Sequence, residues 1–401
     1  MDLKSGYPLW PVTDGLIATY PRLSSALRCD VAIIGGGITG ALVAHHLVDA
    51  GIDTVVIDRR DVGWGSTAAS TALLQYEIDV SLKELSEQYD FAFASRAYLA
   101  CLEAIGKLET LARGCSVDVG FARKKSLYLA KKKHDRKVLR EELELRRSIG
   151  IQVEWLDEED IAARFAFRRP AGLLSAEAAQ VDAYAFAHAL LGDAMKRGLR
   201  VFDRTAILDV KAREDGVTLT SAEHCQIEAK RVVFAAGYET RDFLRAKVAD
   251  LISTFAVASE PMADIPGWGE DRCVIWEHAH PYLYLRTTND GRVIVGGEDE
   301  SFRDPVRRDR VLPKKAERLA ERFRELFPEI DFRVEFSWAG TFGETKDGLA
   351  YIGEHPDWPS TFFALGYGGN GITYSLIAAE VIRDAMLGRQ NPQADLFRFD
   401  R

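Results

Sequence analysis

With 401 residues the chain is too long for one small core, so two or three domains are expected. Its composition, 47% hydrophobic and 28% charged, is that of a soluble globular protein and leaves no stretch that reads as disordered. A formal charge of −9 argues against a general nucleic-acid or anionic-membrane surface, and five scattered cysteines without a C-x-x-C pair argue for a reduced compartment and against a disulfide framework.

The first ten residues, MDLKSGYPLW, lack a basic segment followed by an apolar one and do not read as a secretory signal. Residues 5–29, with Trp10, Tyr20 and Pro21, are expected to form an extended arm packed on the first domain. Asp30 to Gly40 then read DVAIIGGGITG, an apolar β-type run that breaks into Gly35-x-Gly37-x-x-Gly40. A helix-compatible stretch, Ile38 to Ala50, stops at Gly51, and a second apolar run closes on Asp58, eighteen positions after Gly40. Each part has a mechanical task in holding a dinucleotide. Gly35 turns the chain out of the strand, Gly37 lets backbone approach a pyrophosphate, and Gly40 lets helix and strand pack closely. The helix N-terminus, with Ile38 and Thr39, offers free N–H groups to the phosphates, and Asp58 is placed to accept from ribose hydroxyls. Arg59 follows the acid and joins the same candidate site. His45 and His46 on this helix read as partly exposed polar positions, and their charge capacity with Gly35 to Gly37 interrupts the longest apolar run, so no spanning helix is expected.

Further along, apolar spacing from Leu85 to Leu108 predicts one helix over 84–113, and Ser126 to Ala130 a strand. His134 to Ser148 reads as a charged helix with a solvated face of i,i+4 pairs, closed by Gly150. A new βα rhythm begins near 181, with a helix over Tyr184–Arg197 and a strand at 200–202. A hairpin turns at Asp215-Gly216, and a strand runs through Val232 to Ala236 and Gly237. Residues 251–300 read as antiparallel strands, and Pro313 to Leu326 as a helix. Phe362–Leu365 then enter a loop holding Gly366, Gly368, Gly369 and Gly371, followed by a helix from Ile372 to Met386.

With these motifs in hand, the chain resembles the FAD-dependent D-amino acid oxidase/glycine oxidase/sarcosine oxidase superfamily over nearly its whole length. The residues that carry the resemblance are DVAIIGGGITG with Asp58, GWGSTAAST at 63–71, VVFAAGYET at 232–240, TKDGLAYIG at 345–353 and ALGYGGNGITYS at 364–375. The N-terminal arm also looks like the bacterial branch related to γ-glutamylputrescine oxidase. The resemblance implies a Rossmann-like α/β FAD-binding domain, discontinuous in sequence (1–83, 176–245 and 341–401). A second, substrate domain of antiparallel sheet and long helices would occupy 84–175 and 246–340. It implies oxidation of a C–N bond in a small amine or amino acid by hydride transfer to the flavin, with oxygen or another electron acceptor. A homo- or hetero-oligomer fits the same family, and a cytoplasmic location is expected.

FAD fits these residues better than NAD, because its ring reaches well beyond the first turn and needs further backbone-lined contacts. Gly65, Ser66 and Thr67 can supply them, as can Ala236 and Gly237 beside the adenosine and pyrophosphate. The loop Gly366 to Gly371, with Asn370 and Ile372, permits close approach, and the helix after it can face the electron-rich side of a reduced flavin. The 63–72 stretch holds no cysteine or histidine and no cysteine follows Cys273, so the FAD is expected to be non-covalent.

On the substrate side, Tyr282, Tyr284 and Arg286 share one face of a predicted strand and form a candidate carboxylate site with aromatic walls. Lys346 is a candidate for stabilising developing superoxide, with a surface turn as the plainer reading, and Tyr367, beside the glycine loop, is a candidate to border the substrate pocket. Gln75 and Tyr76 follow the second flavin segment and either face the ring or pack. His278-x-His280 beside Glu277 invites a metal reading, but zinc takes three or four protein ligands and no other cluster supplies them, so no metal is expected. An NAD(P) dehydrogenase, an FAD-bearing subunit that needs a partner chain, and a catalytically silent flavoprotein remain as alternatives.

Overall fold

The computed structural model describes residues 2–244, 248–279, 281–365 and 368–401. Its two sheets set where the site lies. The smaller, eight-stranded sheet has at its centre Leu27–Ile34, whose Val31 to Ile34 are buried. A run of β-branched and apolar residues of this kind suits a parallel strand covered on both faces. Thr54–Ile57 and Arg200–Phe202 lie in order on one side, and Gln226–Phe234 and Trp358–Leu365 on the other. Chain order therefore reverses beside Leu27–Ile34, and the crevice beyond its carboxyl end is where such sheets bind ligands. Tyr351–His355 adds antiparallel at one edge, and the Ile207–Arg213 and Gly216–Ser221 hairpin pairs onto Gln226–Phe234. Helices Ile38–Asp49, Ala183–Met195 and Gly371–Met386 pack beside one another, with largely buried side chains that share one core.

The second sheet has ten strands among the described residues. From one edge it runs Lys4–Gly6, Val334–Glu344, Asp250–Ser259, Val293–Glu300, Leu283–Thr287, Val274–His278, Ala122–Ala130, Ala171–Gln180 and Leu73–Gln75, with Val153–Asp157 also paired to Ala171–Gln180. All pairings are antiparallel except Val274–His278 against Ala122–Ala130. Helix Pro305–Leu326 closes one face, burying Leu312, Leu319, Phe323 and Leu326 against Leu127, Ile275, Leu285 and Val295.

Several sequence expectations need correction. The arm does not pack on the first sheet alone: Lys4–Gly6 pairs with Val334–Glu344 in the second, and only later does Tyr20 reach His188 and Asp203. The single helix over 84–113 is two, Leu82–Gln88 and Phe91–Gly114. Tyr89 leaves helical geometry (φ −120°, ψ −98°) and Asp90 starts afresh by accepting from Phe93 N–H at 2.7 Å. The helix expected from Pro313 begins at Pro305, capped by Asp304, and runs through Pro313 because its apolar face stays anchored on the sheet. The charged helix, Asp135–Ser148, is not only a solvated surface, since Glu142 and Arg146 are buried. His46 is buried too and donates from Nδ1 to the Leu42 carbonyl.

Candidate functional site

A cavity of about 1140 Å³ opens where the Leu27–Ile34 strand ends and continues to the face of the second sheet. Gly35 leaves the strand with φ +111°, a left-handed conformation that favours glycine, and a Cβ there would lie 2.5 Å from the Ala235 carbonyl. Gly40 does not line the cavity; a Cβ on it would stand 1.9 Å from the Gly35 carbonyl, so its absence brings helix and turn together. Gly37 caps helix Ile38–Asp49, and Ile38 N–H donates to Thr67 Oγ1 at 2.9 Å. The cavity is lined here by Gly35, Gly37, Ile38 and Thr39, and across from them by Gly65, Ser66 and Thr67.

At the end of the neighbouring strand Asp58 is held by its own backbone surroundings. Its Oδ2 accepts from Gly36 N–H and its Oδ1 from Arg60 N–H, both at 2.7 Å. Burial pushes this carboxyl up, against the pull of those two bonds and of the Arg60 charge. Arg59 and Arg60 converge on Glu239, at 2.5 Å and 2.8 Å, which seats residues 236–239 beside Asp58. Glu239 is a cavity residue that the motif reading missed; an acid two positions after Gly237 and facing two consecutive arginines was its signal. Ala236 and Gly237 line the same stretch.

The C-terminal glycines have a second use. A Cβ on Gly368 or Gly369 would come within 2.4 Å or 2.5 Å of the Asp79 carboxylate, whose Oδ2 accepts from Gly369 N–H at 2.8 Å. Asn370 donates from Nδ2 to the Gln75 carbonyl at 2.9 Å. The loop thus grips residues 75–79 while Gly368 to Ile372 line the cavity and helix Gly371–Met386 starts at it. Thr39 and Ser375 hydroxyls meet at 2.8 Å and tie the two helix starts together. Gly366 and Tyr367 lie outside the described residues.

Tyr282 and Tyr284 line the cavity from the second sheet, their ring centroids 5.9 Å apart. Tyr284 lies across its cross-strand neighbour Gly296, where a Cβ would meet the ring at 2.1 Å. Burial raises both phenols, Tyr284 to about 12. Arg286 does not join them. It is 2% exposed, lines no part of the cavity, and donates from Nη1 to the carbonyls of Thr71, Ala72 and Val181, each at 2.9 Å. A guanidinium so engaged is a clamp on backbone, not an open fork for a ligand carboxylate. Burial pulls it down to about 9. Trp10, buried in the arm, stands 5.3 Å from that guanidinium and donates to the Ser70 carbonyl. Lys346 is exposed, away from the cavity, and donates to the Arg401 carbonyl at 3.2 Å. Of the Gln75 and Tyr76 pair, Gln75 lines the cavity and Tyr76 is core.

His278 accepts or donates at Nδ1 with the Tyr128 hydroxyl at 2.5 Å, and His280 lies outside the described residues. Among the described residues no three His, Cys, Asp or Glu come together to hold a metal. None of their helices is long and apolar enough to cross a membrane.

A backbone-lined cavity of this length, beginning at a glycine turn and helix N-terminus and ending on an aromatic sheet face, fits an extended dinucleotide. The turn is open only because Gly35, Gly37 and Gly40 carry no Cβ. Comparison with known proteins defines the class. The sequence model of the family described as FAD dependent oxidoreductase (DAO) matches residues 30–385, and the chain belongs to that family. Its cofactor is accordingly FAD. Among its relatives, glycine oxidase of Geobacillus kaustophilus (strain HTA426) is 27% identical over 392 residues, covering 93% of this chain and 96% of the relative. Gamma-glutamylputrescine oxidoreductase of Escherichia coli (strain K12) is 24% identical over 397 residues, covering 96% and 88%. The crystal structure of glycine oxidase from Geobacillus kaustophilus superposes with a TM-score of 0.78 at 20% identity, over 93% of this chain and 99% of that one.

Proposed function

We propose that the chain oxidises the C–N bond of a small amine or amino acid. The observation that carries this reading is the continuity of one cavity from the dinucleotide turn to the tyrosine-bearing face of the second sheet. The names of the relatives, an amino-acid oxidase and an oxidoreductase of a substituted diamine, point to the same class. FAD supplies the hydride acceptor that such a reaction requires. In this reading the two sheets divide the work, the parallel one holding the cofactor and the antiparallel one the substrate.

The chain's own part is binding and alignment. The start of Ile38–Asp49 would meet the phosphates, with Ile38 N–H already given to Thr67 Oγ1, and Asp58 keeps acceptor capacity for ribose hydroxyls beyond its two backbone bonds. The start of Gly371–Met386 would offer a partial positive charge to a bound flavin ring. Tyr282 and Tyr284, which line the cavity, would flank the substrate, and burial, which raises both phenols, keeps them neutral donors. The substrate loses two electrons and two protons, a hydride from carbon and a proton from nitrogen, giving an imine that water hydrolyses, and oxygen takes up both electrons and both protons as hydrogen peroxide. Non-covalent attachment is supported by residues 63–72, which hold no cysteine or histidine, and by a wall whose histidine among the described residues, His278, is bonded to the Tyr128 hydroxyl. A cytoplasmic setting suits five cysteines that are all unpaired.

The test is anaerobic bleaching of the bound flavin's absorbance by a panel of amino acids, N-methyl amino acids and amines, followed by admission of air. Bleaching by one class and rapid recovery in air is the expected result. A fully loaded protein that no amine bleaches would overturn the reading, and slow recovery in air would replace oxygen with another acceptor.

A further inference from the structure

The end of the cavity away from the glycine turn is walled partly by residues 75–88, and this wall is acidic: Glu77, Asp79, Glu84 and Glu87 all line it. Arg146 and His278 are the basic side chains that reach the cavity there among the described residues, and both are already engaged, His278 with the Tyr128 hydroxyl. Arg146 Nε donates to Glu142 at 2.8 Å, and its Nη1 lies 3.3 Å from the Tyr76 hydroxyl and 3.5 Å from Glu77 Oε1. Glu142 also accepts from Leu82 and Lys83 N–H at the start of helix Leu82–Gln88. The guanidinium is therefore matched by Glu142.

That leaves Glu77 as the odd charge of a buried trio with two carboxyls and one guanidinium. Glu77 is 4% exposed, and its Oε2 has no hydrogen-bond partner. Burial pushes its carboxyl up, against the pull of the Arg146 charge and the Ser126 hydroxyl, so an arriving cation would favour the anion, and no bond reaches Oε2. A buried carboxylate oxygen without a donor is costly, and a ligand donor would relieve it. Ser126 also accepts from Trp276 Nε1 at 3.0 Å, which brings in an aromatic wall. The Tyr128 and Trp276 rings stack at 3.7 Å between centroids, and both line the cavity. A lone carboxylate beside aromatic faces is the chemistry that recognises an ammonium group. The same surroundings repel a carboxylate.

We propose that this end of the cavity is an ammonium subsite, with Glu77 as its anion and Tyr128 and Trp276 as its aromatic wall. The substrate is then a diamine or polyamine that seats one ammonium there while its other nitrogen is at the oxidised carbon. This rests on the amine-oxidising reading above and narrows it.

The experiment uses the full FAD-loaded chain and compares diaminobutane with butylamine, and both with glycine and N-methylglycine, by anaerobic flavin reduction. Diaminobutane is expected to half-saturate at a concentration at least ~10-fold below butylamine, the scale of one charge-assisted contact. In Glu77→Gln that ratio is expected to fall toward one. Equal half-saturation by the two amines, better reduction by glycine, or a preference that survives Glu77→Gln would overturn the subsite. The comparison in the unaltered protein decides the matter even if the variant fails to fold. Reduction by amines without a diamine preference removes the subsite alone, whereas no reduction by any amine removes the amine-oxidising reading with it.

Discussion

Gly37 shows how little space separates the nucleotide turn from failure. A Cβ at this position would come within 2.8 Å of Thr67 Oγ1, the acceptor for Ile38 N–H. Gly37→Val is expected to purify without flavin, read as loss of the visible absorbance relative to that at 280 nm; a yellow, fully loaded variant would refute the assignment. Arg286 makes a different point. Its three carbonyl bonds hold Ala72 in a left-handed conformation (φ +53°), an uncommon state for a residue with a Cβ. Arg286→Ala is expected to cost ~3 kcal/mol or more of stability, since charged hydrogen bonds and stranded buried carbonyls are each worth one to three. Chemical denaturation measures this, and a loss below ~1 kcal/mol would return the residue to a role in ligand binding. The strand alternation that put Arg286 beside Tyr282 and Tyr284 was legible in the sequence. What the guanidinium meets was not, because residues 71, 72 and 181 are far away in the chain.

Local signals at element ends were as informative as periodicity, and they explain where the helix expectations slipped. Ser81 and Glu84 form a reciprocal capping box at the start of Leu82–Gln88, and Asp90 restarts the helix although apolar spacing runs on across the break. Asp90→Ala is expected to lose about 1 kcal/mol, the usual value of an N-cap, checked by the urea midpoint. The break also frees Tyr89 to donate from its hydroxyl to Asp347 Oδ2 at 2.6 Å. Asp347 is buried, which raises its carboxyl. Its paired bonds to Arg401, at 2.8 Å and 3.0 Å, outweigh that and hold it below its ordinary value of 3.8. A carboxyl lowered by folding stabilises the fold above that ordinary value and ceases to do so as pH falls through its lowered one. Asp347→Asn should therefore be less stable than the parent near neutrality, with the gap closing below pH ~4. A gap that is constant with pH would mean that the ion pair contributes nothing.

For the whole molecule, cofactor and fold are linked. A ligand that binds only the native state adds ~2.7 kcal/mol at a hundred times its Kd, so FAD should raise the melting temperature in a concentration-dependent way. Acid precipitation should then leave all the flavin in the supernatant, and flavin retained in the pellet would contradict non-covalent binding. Family and cofactor were legible before any coordinates, because glycine spacing, an acid at a strand end and a glycine-rich loop before a helix are local consequences of holding a dinucleotide. The sequence by itself determined the nucleotide turn, most strands and the order of the helices, since backbone geometry and hydrophobic period act over a few residues. Only the tertiary structure decided which charges are buried, that the arm joins the second sheet, that Arg286 clamps backbone, and that Glu77 Oε2 is buried without a donor. These depend on contacts between segments distant in the chain, where burial and electrostatic pairing act and local pattern carries no record of them.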